Sequence, residues 1–323
     1  MSPTPSVLRL GTRSSRLALA QSSQVARALE QVHRGLRVEL VPIVTRGDRH
    51  LGDLAEVGGK GLFTEELEAG IADGTLDLAV HSLKDLPVHL PQELAIAAYP
   101  RRADPRDLLI SDGAPNLRQL PSGSSVLTGS LRRRAQILGH RPDLEVIAVR
   151  GNIDTRLQKW RRGDGDAVVL AAAGIRRLRE DQERAAGAGL DSLPFHALSP
   201  LEEMLPAPGQ GTLALQTRAS GPAFEACAAL DHPDTRAAAD AERRIVAALG
   251  GDCTLPLAAW ARREEERWHL DALLADPGES RGEPRTAAGH GRGESAQQAA
   301  EICLTALEEA GVQELLEQLR RSP

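Results

Sequence analysis

The sequence predicts a multidomain α/β protein, on three observations. Short runs rich in Val, Leu and Ile alternate with longer amphipathic stretches, the pattern of strands interleaved with helices. The chain has 323 residues. One core seldom grows that large, so two or three domains of roughly 100 to 150 residues each are expected. Hydrophobic residues make up 41% of the chain, enough for real cores, but three Trp, one Tyr and three Phe leave those cores to Leu, Ala, Val and Ile.

The elements follow in order. Val7–Leu10 reads as a strand, and Ser14 and Ser15 can cap a helix from about Ser15 to His33, with Leu17, Leu19, Ala20 and Val25 as its apolar positions. Val38–Val44, Leu76–Val80 and Leu94–Ala98 complete a first set of strands. A second set begins near Arg101, with Leu108–Ser111, Ser125–Thr128, Leu144–Val149 and Ala167–Ala172 as strands and helical stretches after Arg132 and Asn152. The sets echo each other: Leu10-Gly11-Thr12-Arg13-Ser14-Ser15-Arg16 and Leu127-Thr128-Gly129-Ser130-Leu131-Arg132-Arg133 both place Gly, Thr, Ser and Arg between a strand and a helix. Pro-rich Leu205–Gly211 precedes Thr212–Gln216, a strand able to return the chain to the first sheet. A third, smaller domain follows. It has a helix around Arg236–Leu249, the turn Gly250-Gly251-Asp252-Cys253, a strand at Trp268–Leu274, a polar Gly-rich stretch at Pro277–Glu294 and one closing helix at Ala296–Leu319.

A formal net charge of -6 provides no global attraction to nucleic acid or an anionic membrane. Cys227, Cys253 and Cys303 are odd in number and far apart, which argues against a disulfide framework and a spaced metal site and for a reducing cytosol. Met1–Pro5 shows no signal pattern, and no run approaches the ~20 apolar residues of a membrane span. A cytoplasmic protein off the membrane is the expectation.

Ligands of open α/β sheets sit at the C-terminal ends of strands, where loop amides and helix N-termini favour anions. Arg13, Arg132, Arg133 and Arg150 fall at such ends, with Arg156 on the next helix and Arg177 after Ala171-Ala172-Ala173-Gly174. Thirteen Lys or Arg face six Asp or Glu between Arg101 and Arg162. Any one of these arginines reads equally well as solvated surface, but together they favour a site for carboxylates or phosphates, which the planar guanidinium grips with two parallel hydrogen bonds. Leu76–Val80 delivers His81-Ser82-Leu83-Lys84-Asp85-Leu86-Pro87 to the same edge. Asp85 there either caps local amides before Pro87 or handles protons and faces a cation, kept ionised by neighbouring arginines. Gly58-Gly59-Lys60-Gly61-Leu62-Phe63 lacks the spacing of a P-loop or dinucleotide site, and reads as a lid or a plain flexible connector. Cys253 is either presented by its turn or buried, whereas Cys227 and Cys303 fall on Ala- and Leu-rich helical faces, where packing is their expected role.

Taken together, Thr45-Arg46-Gly47-Asp48, the Gly58–Phe63 run, Ala79–Pro87, Asp104-Pro105-Arg106-Asp107, Arg150-Gly151-Asn152 and Pro206–Gly211 resemble the porphobilinogen deaminase (hydroxymethylbilane synthase) family in residues and in order. The resemblance runs from about Val7 through Cys253 and weakens beyond. It implies three domains: two α/β lobes like those of periplasmic binding proteins, joined by a two-segment hinge, and a small α+β domain. The corresponding boundaries are 1–102 with 207–229, 103–206, and 230–323. The implied reaction joins four porphobilinogen molecules head to tail, releasing ammonia each time, to give hydroxymethylbilane for tetrapyrrole (haem) biosynthesis. Each ring carries an acetate and a propionate, which accounts for the arginines.

By the same resemblance, Cys253 anchors a dipyrromethane cofactor through a thioether, and Asp85 is the catalytic carboxylate. Lys84, Thr128, Ser130, Arg132 and Arg133 bind the cofactor's acid groups, Arg13, Ser15, Arg150, Arg156 and Arg177 hold the incoming ring and growing chain, and Lys60 and Phe63 sit on a lid loop. No metal, nucleic acid or membrane is implied, and the expected state is a monomer. One departure stands out: Asp252 separates Gly251 from Cys253, and Ala258 stands where the family often has glycine. The rival classes are a non-catalytic anion receptor and a nucleic-acid binder, the latter disfavoured by few aromatics and an acidic remainder.

Overall fold

The computed structural model describes residues 6–46, 64–184, 193–250, 255–276 and 284–321. Packing divides the chain into two compact units, Met1–Ala103 with Thr212–Arg236, and Asp104–Gly211 with Ala237–Pro323.

The first unit is built on a mixed five-stranded sheet. β1 (Val7–Arg13) pairs in parallel with β2 (Arg37–Ile43) and β3 (Leu78–Ser82), and the returning strand β10 (Leu213–Arg218) runs antiparallel between β3 and β4 (Leu94–Ala98). The expected return of the chain to the first sheet is therefore present. Helix α1 (Arg16–Val32) starts where Ser15 Oγ accepts the Ala18 N–H at 3.3 Å, and it lays Val25, Ala26 and Leu29 onto Leu8, Leu10, Leu78 and Leu215. Helix α2 (Glu65–Asp73) covers the opposite face with Leu67 and Ile71.

In the second unit, a five-stranded sheet has the order β7 (Glu145–Ile147), β6 (Ser125–Leu127), β8 (Ala167–Ala171), β5 (Asp107–Ser111), β9 (Phe195–Ala197). Helices α3 (Leu131–His140), α4 (Ile153–Arg161) and α5 (Ala172–Arg184) connect or follow its strands. This unit also contains a three-stranded antiparallel sheet of β11 (Leu257–Glu264), β12 (Arg267–Ala275) and β13 (Thr286–Gly293), whose own core includes Ile245, Leu270, Leu274, Cys303 and Leu307. The core's helices are α7 (Pro233–Ala248), α8 (Ala296–Glu309) and α9 (Val312–Arg321), and α6 (Pro222–Ala228) packs in the first unit.

Two sequence expectations are corrected here. The stretch read as polar and Gly-rich contains β13, because Ala287, Gly289, Gly291 and Gly293 alternate as its buried face. The closing helix is two helices, broken at Gly311, whose φ of 79° lies in the left-handed region that favours glycine. β9 and β11 had no expected counterpart. Among the described residues no helix is long and apolar enough to cross a membrane.

Candidate functional site

In the first unit, β1 ends on half-buried Arg13 and the capping hydroxyl of Ser15 opens α1. After β3 the chain tightens into one helical turn, Leu83–Asp85, pinned by the Leu83 N–H on the Thr212 carbonyl (3.0 Å) and the Leu86 N–H on the Leu83 carbonyl (3.1 Å). Leu83 and Leu86 are buried as its anchors, so Lys84 is left half-buried and Asp85 exposed. Among the described residues the Asp85 carboxylate makes no hydrogen bond or ion pair; it caps no local amide.

Behind this turn lies His81, a residue the sequence did not single out. Its Nε2 pairs with Gln216 Oε1 at 2.9 Å, and Gln216 Nε2 donates to Glu68 Oε1 at 2.9 Å. An amide that gives its N–H to a carboxylate presents its oxygen to the histidine, so the ring carries its proton on Nε2. Burial pushes the His81 pKa down to about 4, the Gln216 bond opposes that shift and the charge on Arg13 reinforces it.

In the second unit, Thr128 is buried at the end of β6 and its Oγ1 accepts the Ser130 N–H at 3.2 Å. Ser130 caps α3, accepting the Arg133 N–H at 3.4 Å. Gly129 between them is held to a bare backbone, because a Cβ there would meet the Val149 carbonyl oxygen at 2.5 Å. Arg132 and Arg133 turn inward. Arg132 Nη2 donates to Asp107 Oδ2 and Arg133 Nη2 to Asp107 Oδ1, both at 2.8 Å, while their Nη1 groups donate to the carbonyls of Leu205 (2.6 Å) and Val169 (2.8 Å). The carboxylate is 0% exposed and the two arginines 5% each. Burial alone would raise the Asp107 pKa, but the charges and hydrogen bonds of the two arginines outweigh it and hold the carboxyl at about 2. Two guanidiniums thus share a single buried carboxylate.

Arg150 is exposed beyond β7, and Arg156 on α4 donates its Nε–H to the Gly151 carbonyl at 2.9 Å. Arg177 on α5 is buried, its Nη2 donates to the Gly211 carbonyl at 2.8 Å, and burial lowers its pKa to about 10. Among the described residues the Nε atoms of Arg132, Arg133 and Arg177 are enclosed and have no acceptor. The structure therefore gathers Arg13, Ser15, Lys84 and Asp85 in one unit, and Thr128, Ser130, Arg132, Arg133, Arg150, Arg156 and Arg177 in the other. Asp107 and Gln210 were missed as side chains, although both lie in quoted motifs; nothing in a linear pattern marks a carboxylate as the one that two arginines will clasp.

Lys60, Phe63 and Cys253 lie outside the described residues. Cys227 and Cys303 are each 0% exposed, and burial pushes both thiols up to about 12. Among the described residues no group of three or more His, Cys, Asp or Glu is placed to hold a metal ion.

The family model described as "Porphobilinogen deaminase, dipyromethane cofactor binding domain" matches residues 8–226. Porphobilinogen deaminase of Syntrophotalea carbinolica is 46% identical over 273 residues, covering 84% of this chain and 83% of the relative. The protein of the same description from Paraburkholderia phytofirmans is 45% identical and covers 85% and 78%, and that from Acidothermus cellulolyticus is 46% identical and covers 84% and 80%. Of solved structures, the periplasmic aliphatic sulphonate binding protein SsuA from Escherichia coli superposes loosely, with 13% identity, a TM-score of 0.38, and 76% of this chain and 70% of its own covered. By its match to the family model and its identity to these relatives, the chain belongs to the porphobilinogen deaminase family.

Proposed function

We propose that Asp85 is the catalytic carboxylate of this chain and that Cys253 carries its dipyrromethane cofactor. The activity follows from family membership: the chain has porphobilinogen deaminase activity in tetrapyrrole biosynthesis, porphobilinogen is its substrate, and dipyrromethane is its cofactor. The observation that carries the Asp85 assignment is its carboxylate, exposed on a turn pinned from below and engaged by no described residue. Each condensation breaks the bond between the aminomethyl carbon and its nitrogen, forms a carbon–carbon bond at that carbon, and removes a proton from the attacked pyrrole carbon. A fixed anion with no internal partner stabilises the positive charge that develops as ammonia leaves, and then accepts the proton.

The residues present fit a cofactor rich in carboxylates. Among the described residues Arg132 and Arg133 have only Asp107 as counter-charge, and with Arg177 they retain three enclosed Nε–H groups without an acceptor. Buried donors left unmade are costly, so these side chains have binding capacity that the described residues do not use. When bound, the cofactor supplies a covalently held primer for the growing chain. We assign Lys84, Thr128, Ser130, Arg132 and Arg133 to its acid groups, and Arg13, Ser15, Arg150, Arg156 and Arg177 to substrate and product carboxylates. In support of Cys253 as the anchor, the other two cysteines are buried thiols held far from their reactive thiolate form.

We further infer three domains, 1–102 with 207–229, 103–206 and 230–323, on the support of three separate sheets, each with its own core. A cytoplasmic monomer that binds neither nucleic acid nor membrane completes the reading. Intact-mass measurement of the purified protein is the test. A two-pyrrole adduct mapped to Cys253, absent from Cys253→Ser, is expected. Asp85→Asn should retain the adduct while kcat falls by about 100-fold or more, the loss typical of a missing acid–base group. Parent turnover by Asp85→Asn, or active protein of unmodified mass, contradicts the assignments.

A further inference from the structure

The stretch from Leu205 to Gly211 brings no nucleophile or acid of its own, yet it fastens the arginines of the second unit. Arg132 donates to the Leu205 carbonyl at 2.6 Å and Arg177 to the Gly211 carbonyl at 2.8 Å. Gln136 holds Leu205 from both sides, accepting its N–H at 2.7 Å and donating to its carbonyl at 3.1 Å. Glu242, fully buried, accepts the N–H groups of Gly209 (2.6 Å) and Ala261 (2.8 Å), and so ties the stretch to α7 and β11. Gln210 Nε2 donates to the Pro105 carbonyl at 2.7 Å and to Asp107 Oδ1 at 3.0 Å.

The last contact sets the direction of two guanidiniums. Asp107 Oδ1 receives Gln210 and Arg133, and Oδ2 receives Arg132, so the carboxylate is held from three sides and cannot turn. Each arginine is gripped at both Nη groups, by Asp107 and by a carbonyl, which fixes the plane of its fork. Among the described residues the Nε–H of each has no acceptor, and each Nη keeps a second N–H beyond the bond it makes. The arrangement also removes one of two like charges from a region sealed from water, where uncompensated charge is expensive.

We propose that Asp107 and Gln210 are positioning residues: acting through Arg132 and Arg133, they hold both guanidiniums so that the unused N–H groups meet the acid groups of the bound dipyrromethane. The proposal rests on the assignment of Arg132 and Arg133 to that cofactor. A positioning role and a purely architectural ion cluster differ in what they do to molecules that have folded. In a purely architectural cluster, substitution lowers the yield or melting temperature, but each folded molecule is loaded and turns over normally.

The test uses the full chain bearing Gln210→Leu, Asp107→Asn or Arg133→Lys, with the folded fraction isolated by gel filtration. Intact mass gives the fraction carrying the adduct, thermal melting gives stability, and kcat and KM with porphobilinogen are referred to loaded molecules only. Gln210→Leu should melt cooperatively, carry the adduct on a several-fold smaller fraction, and show kcat lowered about ten-fold with KM little changed, as expected when a reacting group is misplaced by a fraction of an ångström. Asp107→Asn should act in the same direction and more strongly; if it does not fold, Gln210→Leu still decides. Parent loading and kcat in folded Gln210→Leu, alongside impaired loading in Arg133→Lys, overturns the positioning role alone. Parent loading in Arg133→Lys overturns the cofactor assignment itself, and the positioning role with it.

Discussion

Gly291 sits where β13 passes beneath α8, and a Cβ built on it would overlap the Ala299 carbonyl oxygen and lie 2.7 Å from the Cys303 nitrogen. A Cβ built on Gly289 or Gly293 would meet the same helix at 2.6 or 2.9 Å, so three glycines at alternate positions let a helix rest directly on strand backbone. This contact is backbone against backbone, with no flexible side chain to move aside. Gly291→Ala should therefore destabilise the protein by about 1 to 3 kcal/mol or more, the range for overpacking a filled core. Ala288→Ser, on the exposed side of the same strand, should stay within about 0.5 kcal/mol. Denaturant midpoints of both variants provide the check, and equal effects at the two positions would refute the close packing. Two aspartates make a similar point about context. Asp85 and Asp107 both sit in family motifs, yet one is exposed on a pinned turn and the other is enclosed between two guanidiniums.

At the scale of elements, what could be read from the sequence tracked the strength of the local signal. Leu94–Ala98 has the bounds expected of it, and α1 begins one residue after its capping serine, because an apolar run and a cap are each local. β13 was hidden because its buried face is Ala and Gly, which carry no hydrophobic alternation; the partner helix supplies the apolar surface. The candidate site was legible as a set of residue types and motifs. Its wiring was not, since Asp107 meets Gln210 across a hundred residues of chain and Glu68 reaches His81 only through Gln216. That last chain joins α2, β10 and β3 and responds to acid in a definite sense. The folded His81 pKa, about 4, lies below its unfolded value of 6.5, so the unfolded state binds the extra proton between these pH values. Stability is then complete above about pH 6.5 and falls as pH drops toward 4, by about 3 kcal/mol for a shift of this size. His81→Leu should lose that part of the pH dependence, measured as the urea midpoint from pH 7.5 to 4.5. An unchanged slope in the variant would assign the acid sensitivity elsewhere.

For the whole molecule, the two units each bury one acid-sensitive group, and the two titrate in different pH windows. His81 belongs to the first unit, and Asp107, with its pKa near 2, to the second. Asp107 is the opposite case to a buried neutral histidine: its folded pKa lies below the ordinary 3.8, so the stability it adds is present above that value and is lost only as pH falls from there toward 2. Acid should then act in sequence. Between pH 6 and 4 the strain falls on the β3–β10 pairing, where a neutral ring faces Gln216 with Arg13 nearby, while Asp107 stays ionised between its arginines. Hydrogen exchange, corrected for the intrinsic effect of pH, should show amides of β3 and β10 losing protection by about pH 4.5. Amides of β5 and β8, the strands that carry Asp107 and the carbonyl of Val169, should hold until pH nears 3. His81→Leu should delay the first loss and leave the second where it is, because the second depends on a carboxylate that the substitution does not touch. Simultaneous loss of protection in both sheets, or a first loss unmoved by His81→Leu, would show that neither group sets the order.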